Sequence, residues 1–455
     1  MRTRIVVSLS VACWMLGCKD DDAHEPGPAS GNGDASVAPD GGDVGDGISH
    51  DAYFAALSDN YDGAVVVSLL GLDGEVVDEA WLSPKLKNAD LGTPFSSDVV
   101  LPTVSQSRRY LTAIERSLGV VTRFDLEEGT VIGQMKTDAS PEDDMAAFHS
   151  NPQDVFYLDD THAWVDRWTK NLDPKADKAE MGNDLIGFNP STMKRNDARI
   201  DLTSFDVSVT ETQYDDMFMP VGEVESTAWA RPARMVPAGD SLVVGLVRMT
   251  DAYTPAEGAT AVVDPDSGKV TDEVALEGLR NCGDVYPVAD ADDRVLIGCI
   301  GDYNTGLGPE TGIVEIKIDA NGKATTVQSW LAADHDGAAP SAQYLVSLGG
   351  NLVFAVSSGT LDVDGTTVTE PDSAFVLDLK AGTQKLLFKS DGAFSVGLPA
   401  FNPDSGVLLV PDAGSLTDPT YGVRRFQVDG AKVTADGFVE VAASTTLAVR
   451  EVHAL

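Results

Sequence analysis

Few residues of this chain combine the type and spacing that enzyme chemistry requires. No histidine lies in an H-E-x-x-H or H-x-x-E-H pattern or close to a second histidine, so the sequence gives no support for a zinc hydrolase. His335, between Asp334 and Asp336, is the one candidate general base, and a single histidine beside surface acids is usually solvated. G-x-S-x-G is absent, and the Gly-rich segment at Gly306 lacks the lysine of a phosphate loop. The sequence therefore names no reaction.

Clusters of aspartates offer the oxygen ligands that Ca²⁺ prefers. None of them fits the twelve-residue calcium loop with its terminal glutamate, and turn chemistry accounts for most of them. We therefore expect no cofactor and no metal site, with Ca²⁺ as the open alternative. The clusters are Asp215/Asp216, Asp290/Asp292/Asp293 and Asp362/Asp364.

Polar residues precede three apolar segments in the middle of the chain and are candidates for a binding site. They are Asn151, Gln153 and Asp154, then Arg231 and Arg234, then Arg280 and Asn281. The three arginines could form a cationic site that binds a carboxylate or a phosphate. Alternatively, each arginine pairs with a neighbouring acid, such as Asp154 or Asp284, and joins adjacent structural units.

Two cysteines, Cys282 and Cys299, flank a segment that is typical of a β-hairpin turning at Asp290–Asp293. If Val288 faces Arg294, the cysteines lie opposite each other within one residue. Paired antiparallel positions have Cα atoms about 4.5–5.5 Å apart, which suits a disulfide. We therefore predict a disulfide between them, with two buried free thiols as the alternative.

The first 18 residues are typical of a secretion signal. Arg2 and Arg4 precede the apolar stretch Ile5–Leu16, which is too short to span a bilayer. The sequence MLGC ending at Cys18 resembles a bacterial lipobox, in which the cysteine is lipidated and becomes the first mature residue. Lipidation at Cys13, or an ordinary cleaved signal with Cys18 structural, are the alternatives.

Residues 19–50 contain Asp, Gly, Pro, Ser and Ala with almost no large apolar side chain, which predicts a disordered tether. Lys19 follows the cysteine, so the aspartate that retains enteric lipoproteins in the inner membrane is absent. The resemblance to lipoproteins therefore implies a lipid-anchored protein of the cell envelope, on the outer membrane or the cell surface.

The formal net charge is −40, from 72 acidic and 32 basic residues. Such a chain repels nucleic-acid phosphates and anionic lipid surfaces. We therefore expect no nucleic-acid partner, and membrane contact through the lipid anchor.

The elements that must position these residues form a repeat. A pair of apolar strand-like segments recurs about seven times after residue 50, as in Leu242–Arg248 followed by AVVDPDSG from Ala261. Units of roughly 50–60 residues with four short strands are typical of propeller blades. The predicted fold class is all-β: a seven-bladed β-propeller of four-stranded antiparallel blades over residues 51–455.

The two ends of the repeat region complete one blade. Segments beginning at Asp51, Ala64 and Glu75 supply three strands, and Thr445–Ala454 supplies the fourth. This overlap closes the ring and removes open sheet edges. A ring of six or eight blades is the alternative, because the insertion Ser204–Thr227 could contain further strands.

Connections differ in length between the two ends of the blades. Turns such as that at Asp159 are tight, whereas Trp168–Asn183, Met249–Thr260 and Ser204–Ala230 are long. The long connections join the second strand of a blade to its third, or one blade to the next, and in an up-and-down blade both emerge at the same end. We call this end the long-loop face and predict that it carries the binding surface.

The phrases Asn151–Arg167, Ala261–Val270 and Gly312–Lys323 resemble the YVTN/WD40-like superfamily of propellers, particularly bacterial surface lipoproteins. No blade has a Trp-Asp ending, and the YVTN tetrapeptide itself does not occur. The resemblance implies either a binding scaffold or a lactonase. We expect a monomeric, membrane-tethered, non-enzymatic scaffold that binds a protein, peptide or glycan through its long-loop face. The alternative is a lactonase-like or other metal-assisted hydrolase with carboxylates at the central channel.

Overall fold

The computed structural model describes residues 51–59, 65–82, 91–93, 95, 98–139, 148–214, 219–302, 308–335, 344–361, 367–415, 418–441, 444–445 and 447–455. In these residues the chain forms seven four-stranded antiparallel sheets, the blades of a propeller, and two separate two-stranded hairpins. Cys18, the signal and the tether lie outside the described residues. Among the described residues, no helix has the length and apolarity needed to cross a bilayer.

The strands are assigned to blades as follows. Blade 1 contains β1 (Phe54–Asp59), β2 (Val65–Leu70), β3 (Val76–Leu82) and the last strand, β32 (Ala448–Ala454). Blade 2 contains β4 (Val99–Val100), β5 (Tyr110–Glu115), β6 (Val120–Asp125) and β7 (Thr130–Lys136). Blade 3 contains β8 (Val155–Tyr157), β9 (Ala163–Lys170), β10 (Gly182–Asn189) and β11 (Lys194–Asp201). Blade 4 contains β14 (Pro232–Ala238), β15 (Ser241–Leu246), β16 (Glu257–Asp264) and β17 (Lys269–Arg280).

The remaining elements complete the ring. Blade 5 contains β18 (Asp284–Val288), β19 (Ala291–Ile300), β20 (Thr311–Ile318) and β21 (Ala324–Leu331). Blade 6 contains β22 (Leu345–Gly349), β23 (Leu352–Ser357), β26 (Ser373–Asp378) and β27 (Thr383–Lys389). Blade 7 contains β28 (Ala400–Asn402), β29 (Val407–Gly414), β30 (Pro419–Asp429) and β31 (Lys432–Glu440). The hairpins are β12 (Val207–Tyr214) with β13 (Pro220–Ala228), and β24 (Thr360–Leu361) with β25 (Val368–Glu370). Three 3₁₀ helices span Lys178–Glu180, Thr203–Phe205 and Ala332–Asp334.

The core lies between the blades. Middle strands such as β2 and β15 are buried along their whole length, because a neighbouring blade covers each face of the sheet. Outer strands such as β11 are mostly exposed. The apolar cluster between blades 3 and 4 joins Trp164 and Leu185 to Met235 and Val244. Radial sheets thus stack face against face around an axis.

The C-terminal strand completes blade 1, which confirms the predicted closure and the count of seven blades. β32 runs antiparallel to β1, with Leu57 opposite Glu451 and Ser58 opposite Val449. This shift in register leaves Arg450 as a bulged residue. Apolar side chains of β32 join the cluster between blades 7 and 1.

The insertion after blade 3 is the hairpin β12–β13, which lies outside the seven sheets. At its base, Asp206 accepts hydrogen bonds from the Asn183 side chain and from the backbone amide of Ala230, both at 2.8 Å. The hairpin β24–β25 lies in the connection between β23 and β26. Both hairpins belong to long connections and therefore stand on the long-loop face.

A disulfide joins Cys282 to Cys299, as the sequence predicts. Over the first four residues of β18, the register with β19 is the predicted one. Val288 is an exception: it pairs with Ala291 and not with Arg294, because the register shifts at the end of β18. The hairpin therefore turns earlier than the sequence predicts, and the cysteines are unaffected.

Candidate functional site

The innermost strands of the blades meet around the central channel. β14 contacts β18, β18 contacts β22, and β28 contacts β32. Polar side chains on these strands therefore share one space, even when their positions are far apart in the sequence. We call this group of side chains the axial site.

Arg234, the third residue of β14, is central to the axial site. Its Nε donates to Asp284 Oδ1 on β18 at 3.0 Å, and its Nη1 donates to Thr103 Oγ1 at 3.2 Å. The guanidinium carbon lies 5.2 Å from the ring centre of Tyr286. The side chains of Arg234 and Asp284 are 17% and 22% exposed, so both keep contact with solvent. Arg234 thus bridges blades 2, 4 and 5.

The surroundings of Arg234 maintain its charge. Burial alone would lower the pKa of Arg234, but the acidic groups of Tyr286, Asp284, Glu451 and Asp154 outweigh burial and raise it. The guanidinium is therefore a permanent cation at the centre of the ring.

Asp154 ties three blades together. Its Oδ1 accepts the backbone amides of Thr103 at 2.9 Å and Val155 at 2.8 Å, and its Oδ2 accepts the amide of Met235 at 2.7 Å. Burial raises the pKa of Asp154, and the amides of Thr103 and Met235 offset that rise in part. Its observed role is to connect blades 2, 3 and 4.

Glu451 brings a carboxylate to the axial site from the closing strand. It is 17% exposed, and its Oε2 lies 3.0 Å from His453 Nε2. Burial opposes its charge, but the hydrogen bond from His453 and the charges of His453, Arg234 and Arg116 together lower the pKa of Glu451. The axial site therefore contains a carboxyl group with a lowered pKa, that of Glu451, besides Asp284, whose pKa burial raises.

The other two candidate arginines have different partners. Arg231 is 5% exposed, pairs with Asp251 and lies 4.0 Å from the ring centre of Trp168. Arg280 donates from Nε to Glu310 Oε1 at 2.9 Å. Each of the three arginines pairs with an acid, which is the arrangement that the sequence offers as the alternative to a cationic site. Two of these pairs, those of Arg234 and Arg280, join blade 4 to blade 5.

The candidate amide side chains lie at the beginnings of blades. Gln153 Nε2 donates to Asn151 Oδ1 at 2.7 Å, and Gln153 Oε1 accepts from Arg116 Nη1 at 3.1 Å. Asn151, Arg231 and Asn281 have φ values of 49°, 50° and 54°. A left-handed backbone is uncommon for residues other than glycine, so its recurrence before three innermost strands gives these positions a role in the turn into the blade.

Sequence reasoning did not identify Glu451, Thr103 and Tyr286 as members of one group with Arg234. One sequence feature could have identified them: each is an ionisable or polar side chain close to a predicted innermost strand. Among the described residues, no group of three or more His, Cys, Asp or Glu side chains could hold a metal ion.

The long-loop face carries the most exposed large apolar side chains of the described residues. Leu172, between β9 and β10, is 63% exposed, and Met219 and Val221, at the tip of hairpin β12–β13, are 58% and 62% exposed. The next values are 46%, for Val327 and Leu386 on the outer strands of blades 5 and 6. Met219 and Val221 are close together at one hairpin tip, and grouped exposed apolar side chains are candidates for a contact surface.

The architecture makes this chain a seven-bladed β-propeller. No family model matches its sequence, and no curated protein matches it significantly. A structure from Bacteroides fragilis, assigned provisionally as a 6-phosphogluconolactonase, is similar with a TM-score of 0.50 and 11% identity, over 89% of this chain and 98% of that chain. A protein of the same provisional assignment from Bacteroides uniformis has a TM-score of 0.50 and 11% identity, over 89% and 100%.

The β-propeller domain of Cps50 (Swd1) from Myceliophteria thermophila is similar with a TM-score of 0.43 and 12% identity, over 80% of this chain and 93% of that chain. At 11% identity, the similarity to the two Bacteroides structures indicates a shared fold alone.

Proposed function

We propose that this propeller is a lipid-anchored binding scaffold of the cell envelope that holds a protein partner on its long-loop face. The observation that carries the proposal is the exposure of Leu172, Met219 and Val221 on one face, two of them at the tip of a hairpin that is no part of a blade. Protein contacts bury such apolar groups, and the exposed apolar side chains at this tip lie outside the seven sheets of the ring.

The hairpin that carries the apolar tip also carries exposed acidic side chains. Glu223 and Glu225 are exposed on β13, and Glu225 accepts hydrogen bonds from Ser208 and Thr210 across the hairpin. A partner that covers the apolar tip and carries basic residues opposite these glutamates fits this element best.

The direction in which the chain enters the ring indicates which face points away from the membrane. β1 is the second strand of its blade and begins at the end with the tight turns, opposite the long-loop face. If residues 19–50 are the tether that their composition predicts, they reach the ring from that side. A flexible segment of this length spans roughly 30 Å, so the long-loop face points away from the membrane.

Binding is a better fit than hydrolysis because the channel carboxylates are engaged by the protein. Asp284 pairs with Arg234, Glu451 with His453, and Asp154 accepts three backbone amides. Two structural neighbours are provisionally assigned as lactonases, so hydrolysis is the second candidate function. No feature described for this chain favours it.

Capture from the native envelope tests the proposal. Immobilised wild-type propeller should retain a partner that a Met219→Ser/Val221→Ser double variant loses at least tenfold, because about 2 kcal/mol of apolar contact is removed. The matched control is Val327→Ser, an exposed apolar residue on an outer strand, which should retain the partner. Equal capture by the hairpin variant would show that the partner does not bind there.

A further inference from the structure

The seam that closes the ring contains a buried carboxyl group. Asp59, the last residue of β1, is 2% exposed on its side chain. Within the described residues, its Oδ1 has no hydrogen-bond partner, and neither does the neighbouring Ser58 Oγ. The nearest cationic atom, Arg450 Nε, lies 3.7 Å from Oδ1, which is too long for a hydrogen bond.

The strand opposite Asp59 is irregular at this point. The bulge at Arg450 interrupts the ladder between β1 and β32. β32 also contacts blade 7, where the amide of Leu398 donates to the carbonyl of Arg450 and the amide of Val452 donates to the carbonyl of Leu398, both at 2.9 Å. The ring closure therefore depends on one bulged strand held on two sides.

Four charged groups face Asp59. Arg450 and Glu451 come from β32, and Arg116 and Asp98 come from blade 2. Two cations and two anions already balance, so an ionised Asp59 adds a net negative charge to a site with little access to water. Burial raises the pKa of Asp59 to about 7; Arg450 and Arg116 act against this rise, and Glu451 and Asp98 add to it.

We propose that the ring closure is a pH-controlled latch, in which protonated Asp59 keeps β32 seated against β1 and ionised Asp59 loosens the strand. β32 also carries Glu451 into the axial site. Loosening of the strand therefore withdraws a carboxylate from the channel and exposes the edge of β1. This inference does not depend on the proposed protein partner.

Proton linkage determines whether a rise in pH opens or closes the ring. When β32 is released, water reaches Asp59 and its pKa falls towards about 3.9, the ordinary pKa of an aspartate, whereas it is about 7 in the seated strand. The seated form therefore holds the proton more tightly, and the contribution of Asp59 to closure is lost as the pH rises from about 4 to about 7. Between pH 5.5 and 8.5 the opening equilibrium should rise about 30-fold and level off above pH 7.

Hydrogen–deuterium exchange of the purified protein tests the latch. Peptides covering residues 447–455, corrected for intrinsic exchange rates, should show the 30-fold rise in the wild type and no comparable rise in Asp59→Asn. Glu127→Gln, which removes an exposed acid from the turn between β6 and β7, is the matched control and should behave like the wild type. An Asp59→Asn variant that keeps the wild-type pH profile overturns the proposal, as does a flat wild-type profile.

A second variant tests the proposal if Asp59→Asn does not fold. Arg450→Gln removes the nearest cation and should move the midpoint of the exchange profile to higher pH, because ionisation of Asp59 becomes harder. An unchanged midpoint in Arg450→Gln would also overturn the proposal.

Discussion

Asp154 and Arg234 both form hydrogen bonds with Thr103. Asp154 Oδ1 accepts the amide of Thr103, and Arg234 Nη1 donates to the Thr103 hydroxyl. Asp154 also fixes β14 through the amide of Met235, one residue after Arg234. Interactions between blades and the geometry of the axial site therefore depend on the same side chains.

Removal of Asp154 should loosen three blades together. In Asp154→Ala, the amides of Thr103 and Met235 lose their acceptor in a buried place, so we expect a loss of about 3 kcal/mol in the free energy of unfolding. Denaturant unfolding measures this loss. The control is Asp404→Ala, an exposed acid in the turn between β28 and β29, which should change stability by less than about 0.5 kcal/mol. Equal stability of the two variants would contradict the connecting role of Asp154.

Residues of the axial site and of the seam that closes the ring differ in how easily the sequence reveals them. Asp154 and Arg234 could be selected because they lie near the beginnings of predicted strands in a repeat. Glu451 and Asp59 could not, because their neighbours come from other blades and meet them only when the ring closes. The pairing of every candidate arginine was foreseen as an alternative, but the particular partners Asp251 and Glu310 depend on loop conformations that the sequence does not specify.

β-strands of this chain were predictable wherever apolar alternation and turn residues coincide. The Cys282–Cys299 pairing and the closing strand follow from that pattern and are confirmed. Bulges were not predictable: the shifts at Val288 and at Arg450 have no sequence signal. Hairpin β12–β13 was foreseen only as an insertion that could contain strands, because its polar residues give no apolar pattern.

Deletion of Thr445–Leu455 tests the closing strand as an element. The change removes the innermost strand of blade 1 and the burial of Val449 and Val452, so we expect a loss of several kcal/mol in stability. It also leaves the edge of β1 unpaired, and we expect concentration-dependent association on size-exclusion chromatography. A deletion of residues 19–50 is the control and should leave the melting temperature unchanged. A truncated chain that melts like the wild type and stays monomeric would contradict this account of the closure.

The whole molecule combines a rigid ring with two unequal faces. Tight turns occupy one face in every blade but blade 2, where residues 101–109 join β4 to β5, and the longest connections with both hairpins occupy the other face. A net charge of −40 keeps such a ring from anionic membrane surfaces, so attachment to a membrane requires a separate device. In our proposal that device is a lipid on Cys18, followed by the flexible segment 19–50.

Substitution of Cys18 tests this arrangement for the molecule as a whole. Cys18→Ala removes the proposed lipidation site, and because the remaining chain is strongly acidic we expect it to move from the membrane pellet to the soluble fraction. Metabolic labelling with a radioactive fatty acid should mark the wild type and not the variant. Cys13→Ala is the matched control: it should stay labelled and membrane-bound if Cys18 is the lipidated residue, and it should lose both properties if Cys13 is. A Cys18→Ala protein that remains in the membrane fraction and keeps its label would rule out anchoring at Cys18, and with it the orientation that directs the long-loop face away from the bilayer.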